Sequence, residues 1–276
     1  VAGQINILSG SNPVRPPSTE TAETLTAGFV FTPTLSFVEN VTVSVDYYDI
    51  DVKDVIGTFS AQQTLDQCYV SGISAACASI KRVDGDLGSP AAGIQLYTTN
   101  LSYVQSEGIE AAFGFGKDFG SIGDLQVSGM VNKYLTAESQ SDALTPVIDC
   151  NGYFGTTCDP LSDLQWTTRA TWNWNDLSAS LLWRHIDSVE IEPTERASVF
   201  EGFRRIDAYD YLDLALSYNL WDDRIRLSLT VDNITEEMPP IMGNEAGDTS
   251  SNSGNTFPSN YDVFGRMYTA GLRLTF

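Results

Sequence analysis

The sequence is poor in positive charge and nearly devoid of histidine. Its 276 residues contain 15 Lys and Arg against 36 Asp and Glu, giving a net charge of -21, and its single histidine is His185. This balance argues against a nucleic-acid partner, because phosphate binding needs clustered Lys and Arg. We identify no catalytic constellation, cofactor-binding loop or metal site. His185 adjoins Arg184 near the end of a predicted strand, and the acidic loop pairs lack calcium-loop spacing.

Long hydrophobic runs are absent as well. No stretch approaches the ~20 consecutive apolar residues that a transmembrane helix needs, and the mean hydropathy is -0.11. This composition is still compatible with a membrane β-barrel, because only every second residue of a barrel strand faces lipid.

The cysteines are few and fall into two local pairs. Cys68 lies near Cys77, and Cys150 lies near Cys158, each pair in a connection rich in Gly, Ser and Asp. Short-range pairs in loops predict two disulfides and an oxidising compartment. A zinc site is disfavoured, because neither pair has knuckle spacing and no histidine is nearby.

Apolar and polar residues alternate with the period of a β-strand in nine stretches. The clearest is 166–174, in which Trp166, Trp172 and Trp174 share a face with small residues between them. Tryptophan at both ends of an apolar strand face is typical of the aromatic girdles of membrane barrels. The nine predicted strands are 22–32, 41–52, 96–115, 125–135, 166–174, 177–186, 211–220, 225–232 and 268–276.

The connections between these strands alternate in length. Short turns follow the first, third, fifth and seventh strands, and long loops at 57–93, 137–163, 189–208 and 234–260 follow the others. An outer-membrane barrel sorts its loops in this way, whereas a soluble sandwich or propeller has no reason to do so. The acidic residues concentrate in these connections. They predict solvated loops or, alternatively, bridging through divalent cations to anionic lipid headgroups.

The polar strand faces carry charges that a small core would not tolerate. A soluble open sheet would need a covering layer, and the sequence offers no amphipathic helix long enough to supply one. We therefore predict an all-β fold that forms a portion of an antiparallel transmembrane β-barrel. The charges predicted to face its lumen are Asp46, Glu110, Arg169, Arg184, Asp213, Arg226, Asp232 and Arg273.

Several short motifs, taken in order, resemble the C-terminal part of TonB-dependent outer-membrane receptors. They are Asn12-Pro13 with the following ETAET at 20–24, VSVDYYDI at 43–50, EGIE at 107–110, VDNI at 231–234, and Gly265-Arg266 with Tyr268 through the aromatic Phe276. Such receptors have about 22 strands and a plug domain in the lumen. The resemblance implies that residues 1–276 are a C-terminal segment of the barrel domain, about nine strands of the whole. The plug and the earlier strands are expected in a cleaved or unseen part, or on another chain.

The resemblance also implies a function and its partners. It implies energised uptake of a scarce ligand, such as a ferric siderophore, a cobalamin or an oligosaccharide, and no enzymatic activity. The expected partners are a TonB-type energy-transducing protein and the lipid of a Gram-negative outer membrane. A passive porin-like channel and a structural or adhesive outer-membrane component are the alternatives.

Ligand contacts are predicted in the long loops. Tyr153 and Phe154 lie between the second pair of cysteines, and an aromatic–basic cluster follows the sixth strand, namely Phe200, Phe203, Arg204 and Arg205. Aromatic rings suit sugars and siderophore rings, and arginines suit anionic ligands. Packing between loops is the alternative role for each of these residues.

Overall fold

The computed structural model describes residues 5–11, 16–100, 103–140, 146–155, 157–221, 224–243 and 255–275. The Asn12-Pro13 motif and the terminal Phe276 lie outside them. No helix in this part of the chain is long and apolar enough to cross a membrane. The strands and helices, in chain order, are β1 (Ile7–Ser11), β2 (Thr21–Phe31), β3 (Glu39–Lys53), β4 (Ile56–Gly57), α1 (Ala61–Tyr69), α2 (Ser74–Ala78), β5 (Ile80–Lys81), β6 (Gly93–Asn100), β7 (Tyr103–Asp118), β8 (Asp124–Gln140), β9 (Ile148–Asp149), β10 (Tyr153–Phe154), β11 (Leu164–Trp174), β12 (Leu177–Ile186), β13 (Val189–Ile191), β14 (Arg205–Ile206), β15 (Tyr209–Leu220), β16 (Ile225–Asp232) and β17 (Met267–Leu274).

The chain divides into two compact units. The first comprises residues 1–24, 50–105 and 138–148, and the second comprises residues 25–49, 106–137 and 149–276.

The first unit contains a small sheet in which β6 is central. Strand β6 pairs with β1 in parallel and with β4 and β5 antiparallel. Two short helices precede it, and the Cys68–Cys77 disulfide links them. Helix α1 begins with a capping box, in which Ser60 and Gln63 exchange side-chain and backbone hydrogen bonds. Strand β1 lies outside the nine predicted strands, because its Gly- and Ser-containing sequence resembles a turn.

An open, mainly antiparallel sheet, the main sheet, holds the nine long strands. Its order is β17-β16-β15-β12-β11-β8-β7-β3-β2, with β9 paired to β8. Consecutive long strands are neighbours because each short turn or long loop returns the chain beside the strand it has just left. The prediction of nine alternating strands is confirmed in number and order, and so is the alternation of short and long connections.

One predicted strand is wrong. The stretch 96–115 divides into the end of β6, which belongs to the small sheet, and the first part of β7, which belongs to the main sheet. The side-chain amide of Asn100 fixes the end of β6 by donating to the carbonyl oxygens of Ser18 at 3.0 Å and Asp54 at 2.7 Å. Alternation reports which face a residue occupies but not which strand it pairs with, so the sequence pattern runs through this break.

The apolar face of the main sheet remains uncovered within the described residues. Leu227 is 44% exposed and Leu272 is 64% exposed, and Leu214 is half-buried between neighbouring strands. The hydrophobic core of the second unit lies elsewhere, in its long connections. These leucines therefore do not form the interior of a folded soluble domain.

The short turn between β7 and β8 depends on one glycine. Gly123 has a φ of 103°, and a Cβ at this position would collide with the carbonyl oxygen of Asn173 on β11. The position requires glycine on both counts. The turn thereby brings the ends of β7, β8 and β11 close together.

Candidate functional site

The predicted charges share the polar face of the main sheet. Cross-strand registers place Arg169, Arg184, Asp213, Arg226, Asp232 and Arg273 on one side. Asp46 shares a face of β3 with Tyr48, and Glu110 shares a face of β7 with Gly108. Tyr48 touches Gly108 and lies 3.5 Å from the Asn132 side chain on β8, which places Asp46 and Glu110 on the same side of the sheet as the other charges. The orientation of this face towards a lumen stays a prediction.

Two of these charges meet in a polar network. Arg184 donates from Nε to Asp213 Oδ2 at 3.1 Å and from Nη2 to Asp213 Oδ1 at 3.3 Å, and its guanidinium lies over the Tyr211 ring at 5.1 Å. Asp213 Oδ1 also accepts the backbone N–H of Asn233 at 2.8 Å. A carboxylate that accepts from a guanidinium and an amide is well satisfied. Within the described residues, the other six predicted charges form no ion pair, although Arg169 donates to Ser180 Oγ at 3.0 Å and Arg226 donates to Asn219 Oδ1 at 2.8 Å.

The apolar face carries an aromatic cluster at the end where the long loops begin. The Trp166 ring stacks on His185 with centroids 3.6 Å apart, and Trp183 meets Trp166 edge-on at 5.3 Å. Asp210 Oδ1 accepts Trp183 Nε1–H at 2.6 Å and lies 2.8 Å from His185 Nδ1. The only histidine of the sequence is thus held in a packed aromatic cluster, an arrangement that suits a structural role.

A second aromatic group marks the opposite end of β11. Trp172 stacks on Phe119 at 5.3 Å, and Trp174 donates from Nε1 to the Ser121 carbonyl oxygen at 3.2 Å. Trp166 and Trp174 lie eight residues apart, which is about 26 Å along a strand. At the usual tilt of ~40°, this separation covers roughly 20 Å, comparable to the ~25 Å apolar band of outer-membrane barrels. The tryptophan spacing therefore fits a strand that spans a bilayer.

Three long connections pack together above the sheet end. We use the name loop cap for the described residues of 149–163, 189–208 and 233–262. Their shared core consists of Phe154, Val189, Ile191, Val199, Ile206, Met242, Phe257 and Tyr261, with Tyr209 packed against it. Strand β13 joins β10 in parallel and β14 antiparallel, so the loop cap has a three-stranded sheet of its own.

Polar contacts join the connections of the loop cap as well. The Cys150–Cys158 disulfide closes the first connection. Glu192, only 4% exposed, accepts the backbone N–H groups of Thr157 at 2.8 Å and Cys158 at 2.6 Å through Oε1. Asn260 donates from Nδ2 to the Pro160 carbonyl oxygen at 2.7 Å. Sequence reasoning did not single out Glu192, because a lone glutamate in a loop carries no signal that it will be buried.

The loop cap separates the predicted ligand residues into two groups. Phe154 has an exposed fraction of 0% and packs in the shared core of the loop cap, while its contact with a ligand stays a prediction. Tyr153 is half-buried. Phe200 is 80% exposed and immediately precedes the 3-10 turn Glu201–Phe203, and Phe203, which ends this turn, is 43% exposed.

The two predicted arginines that follow these rings in the sequence differ in how far their guanidinium groups are accessible to a ligand. Arg204 Nε donates to the Val199 carbonyl oxygen at 2.8 Å, which fixes the turn. Arg205 is exposed and donates from Nε to Asp207 at 3.0 Å and from Nη2 to Ser188 Oγ at 2.8 Å. Phe200, Phe203 and Arg205 thus form an accessible aromatic–basic edge, and their contact with a ligand stays a prediction.

The core of the loop cap excludes water around one phenol. Tyr261 is 3% exposed and its hydroxyl has no hydrogen-bond partner within the described residues. Burial raises the pKa of Tyr261 above its usual value, because a low-dielectric surrounding disfavours the phenolate. Tyr261 is therefore enclosed in the packed core of the loop cap.

A polar cavity of about 810 Å³ lies on the polar face near the short turns. Its lining includes Glu39, Asp124, Arg169 and Asn173, with Asn173 donating to Asp124 at 3.1 Å. These mixed charges suit contact with a polar protein surface or water. Among the described residues, no group of three or more His, Cys, Asp or Glu side chains could hold a metal ion.

Comparisons with known proteins give a consistent result. A family model described as TonB dependent receptor-like, beta-barrel matches residues 2–234. None of the curated proteins compared with this chain matches it. Similar solved structures include a mutant of the ferric enterobactin receptor PfeA from Pseudomonas aeruginosa in complex with enterobactin (TM-score 0.56, 14% identity, 93% of this chain and 32% of that one). The siderophore receptor PirA from Acinetobacter baumannii (0.55, 13%, 95% and 32%) and the copper transporter OprC (0.52, 17%, 98% and 34%) are also similar. This chain therefore spans about a third of the length of these solved proteins and shares their fold.

Proposed function

This chain belongs to the family of TonB-dependent receptor-like β-barrels, and from that premise we propose that its receptor imports a scarce ligand across the outer membrane of a Gram-negative bacterium. The import would be energised through a TonB-type partner. The match over most of the chain is the observation that carries this proposal. The uncovered apolar face and the aromatic groups at both ends of β11 support it, because they fit strands in a bilayer.

The proposal extends to the parts that complete the receptor. Residues 1–276 would be a C-terminal segment of the barrel domain, with the earlier strands and a plug domain in the remainder. The open sheet supports this, since its edge strands β2 and β17 leave one side of their backbone without a partner in the sheet order. In a bilayer every backbone polar group needs a partner, so further strands must close the sheet.

The ligand would be a ferric siderophore, a cobalamin or an oligosaccharide. Two of the similar structures are receptors named for enterobactin or siderophores, and a third is named for copper. The exposed Phe200, Phe203 and Arg205 suit a ligand with flat or sugar rings and negative charge. These three side chains are the proposed contribution of this chain to ligand capture.

Uptake by intact cells tests the proposal. Cells with and without the gene are supplied with iron-55 as a ferric siderophore, cobalt-57 cobalamin or a radiolabelled maltodextrin, each with and without a protonophore. We expect deletion to abolish saturable uptake of one of these ligands and the protonophore to have the same effect. Uptake that survives the protonophore and does not saturate would favour a passive porin-like channel, and open-channel conductance in planar bilayers would support that reading.

A matched pair of arginine variants tests the proposed ligand edge. Arg205 and Arg196 both approach Glu190, at 3.7 Å and 3.5 Å, but Arg205 is two residues from Phe203 in the sequence, whereas Arg196 is four residues from Phe200. Arg205→Ala should raise the ligand concentration for half-maximal uptake about tenfold, whereas Arg196→Ala should leave it within twofold.

If deletion of the gene changes no uptake at all, a structural or adhesive role is the better reading.

A further inference from the structure

We propose that the three connections of the loop cap move as one body, so that none of them can swing away separately when a ligand is admitted. Connections of this length usually behave as independent, mobile loops. Here all three share one hydrophobic core, and the first two also share the β10-β13-β14 sheet and the buried carboxylate of Glu192. The proposal concerns the protein itself and does not depend on the identity of the ligand.

The shared core is the first reason. Phe154 comes from the first connection, Ile191 and Ile206 from the second, and Phe257 and Tyr261 from the third, and all are buried. Phe154 meets Phe257 edge-on with ring centroids 6.0 Å apart. Separating any one connection would expose aromatic surface on the other two to water, which is unfavourable in proportion to the area exposed.

Backbone pairing between connections is the second reason. In the parallel β10–β13 pair, the Glu190 N–H donates to the Gly152 carbonyl oxygen at 2.9 Å and the Glu192 N–H donates to the Phe154 carbonyl oxygen at 2.9 Å. These bonds join residues of the first and second connections. Their loss would leave amide and carbonyl groups unpaired inside the loop cap.

Glu192 is the residue that positions the first connection on the second. Its carboxylate accepts two amide N–H groups of the turn closed by the Cys150–Cys158 disulfide. A Cβ on Gly155 would collide with this carboxylate, so the turn has no room for another side chain there. Removing one partner of such a buried charged bond leaves the other partner unsatisfied.

The third connection is held to the main sheet. The backbone N–H of Asn233, which is fully buried, donates to Asp213 Oδ1 on β15 at 2.8 Å, and the N–H of Ile234 donates to the Leu212 carbonyl oxygen at 2.8 Å. The N–H of Asp262, at the other end of this connection, donates to the Tyr211 hydroxyl on β15 at 3.2 Å. Both ends of the connection are therefore fixed, and its residues Met242, Phe257 and Tyr261 belong to the shared core.

Hydrogen exchange of the full-length protein in detergent micelles tests the proposal without any variant. Under conditions where reclosing is slower than exchange, the protected amides of all three connections should exchange at one common opening rate. Three different opening rates would overturn the proposal.

Substitution of Phe154 provides a second test. In Phe154→Ala, the amides of the third connection, including Tyr261, should exchange at least about tenfold faster together with those beside residue 154. The matched control is Phe203→Ala, an exposed ring of the same cap, which should change exchange less than twofold. Acceleration confined to the first connection would contradict a single body. Heat-modifiable migration on gels establishes beforehand that the barrel of each variant has folded.

The positioning role of Glu192 is tested against Glu190 on β13, a half-buried carboxylate that pairs with Arg196 and Arg205. Glu192→Ala should speed exchange at the Thr157 and Cys158 amides about tenfold and should raise the common opening rate of the loop cap. Glu190→Ala should leave that rate within twofold. Equal effects of the two variants would remove the assigned role.

Discussion

The main sheet and the loop cap treat apolar side chains in opposite ways. On the main sheet, leucines of β16 and β17 stand on an uncovered face, whereas in the loop cap Phe154 and Ile191 are completely enclosed. Both arrangements keep apolar surface away from water. The difference is in the neighbour: lipid can cover the strands, but connections that extend beyond the bilayer must build a core of their own.

The main sheet and the loop cap also differ in how their backbone polar groups are satisfied. Strand backbones of the main sheet are satisfied by regular antiparallel ladders. The loop cap has short ladders, so it depends on particular side chains such as Glu192 and Asn260 to satisfy its backbone. We therefore expect the main sheet to tolerate changes to individual polar side chains better than the loop cap does.

The largest effect on stability is expected from a charge placed on the apolar face of the main sheet. Leu214 is central in β15 and faces Leu181 and Val231 across the strands. An arginine on the lipid face near the bilayer midplane costs about 2–4 kcal/mol. Leu214→Arg should therefore lower the free energy of unfolding of the full-length barrel by that amount, measured by urea unfolding in lipid vesicles.

Ala215 provides the control for this substitution. It is adjacent to Leu214 but lies on the polar face, between Ser180 and Thr230. Ala215→Arg should cost less than about 1 kcal/mol, because a wet or polar interior accommodates the charge. Equal losses of unfolding free energy at the two positions would show that the two faces of the sheet have the same surroundings.

The second effect concerns the disulfide of the loop cap. The two disulfides close loops of similar length, with sequence separations of 9 and 8 residues, which predicts about 2–3 kcal/mol of stabilisation for each. The Cys150–Cys158 disulfide belongs to the loop cap, and the Cys68–Cys77 disulfide belongs to the first unit. Cys150→Ser with Cys158→Ser should destabilise the loop cap by about that amount, measured by hydrogen exchange at its protected amides.

The Cys68–Cys77 disulfide provides the control for this experiment. Cys68→Ser with Cys77→Ser removes a bond of the same kind from the helical pair of the first unit. Exchange in the loop cap should then be unchanged, and exchange in α1 and α2 should increase. Loss of cap protection in both double variants would mean that the disulfides act through the whole fold.

Sequence alone was sufficient for much of the main sheet. A two-residue period identifies strands such as 166–174 and their faces, because the neighbours across each strand follow the same alternation. Both cysteine pairs could be recognised because their partners are close in sequence. The division at Asn100 escaped prediction, since β6 and β7 are both extended and differ only in their partners.

The loop cap could not be predicted in the same way. Phe154 contacts Phe257, about a hundred residues away in sequence, and neither lies in a periodic stretch. A phenylalanine in a polar loop has the same local signature whether it is buried, like Phe154, or exposed, like Phe200. Only the folded arrangement of three connections distinguishes a ligand contact from a core residue.

The smallest expected effect tests how dry the core of the loop cap is. Tyr261 buries a hydroxyl that has no partner among the described residues, so Tyr261→Phe should leave cap stability at neutral pH unchanged or raise it by up to about 1 kcal/mol.

The difference in stability between Tyr261→Phe and the wild type should then grow with pH. Burial raises the pKa of Tyr261, so the folded cap retains a proton that the unfolded chain releases above pH 10, the usual value for tyrosine. The stability that this group contributes is complete below about pH 10 and is lost as the pH rises further. Limited proteolysis by subtilisin should therefore cleave the wild-type cap increasingly faster than Tyr261→Phe between pH 9 and about 11. The exposed Tyr69→Phe variant serves as the control, and a ratio of cleavage rates that stays constant over this range would show that water reaches the phenol.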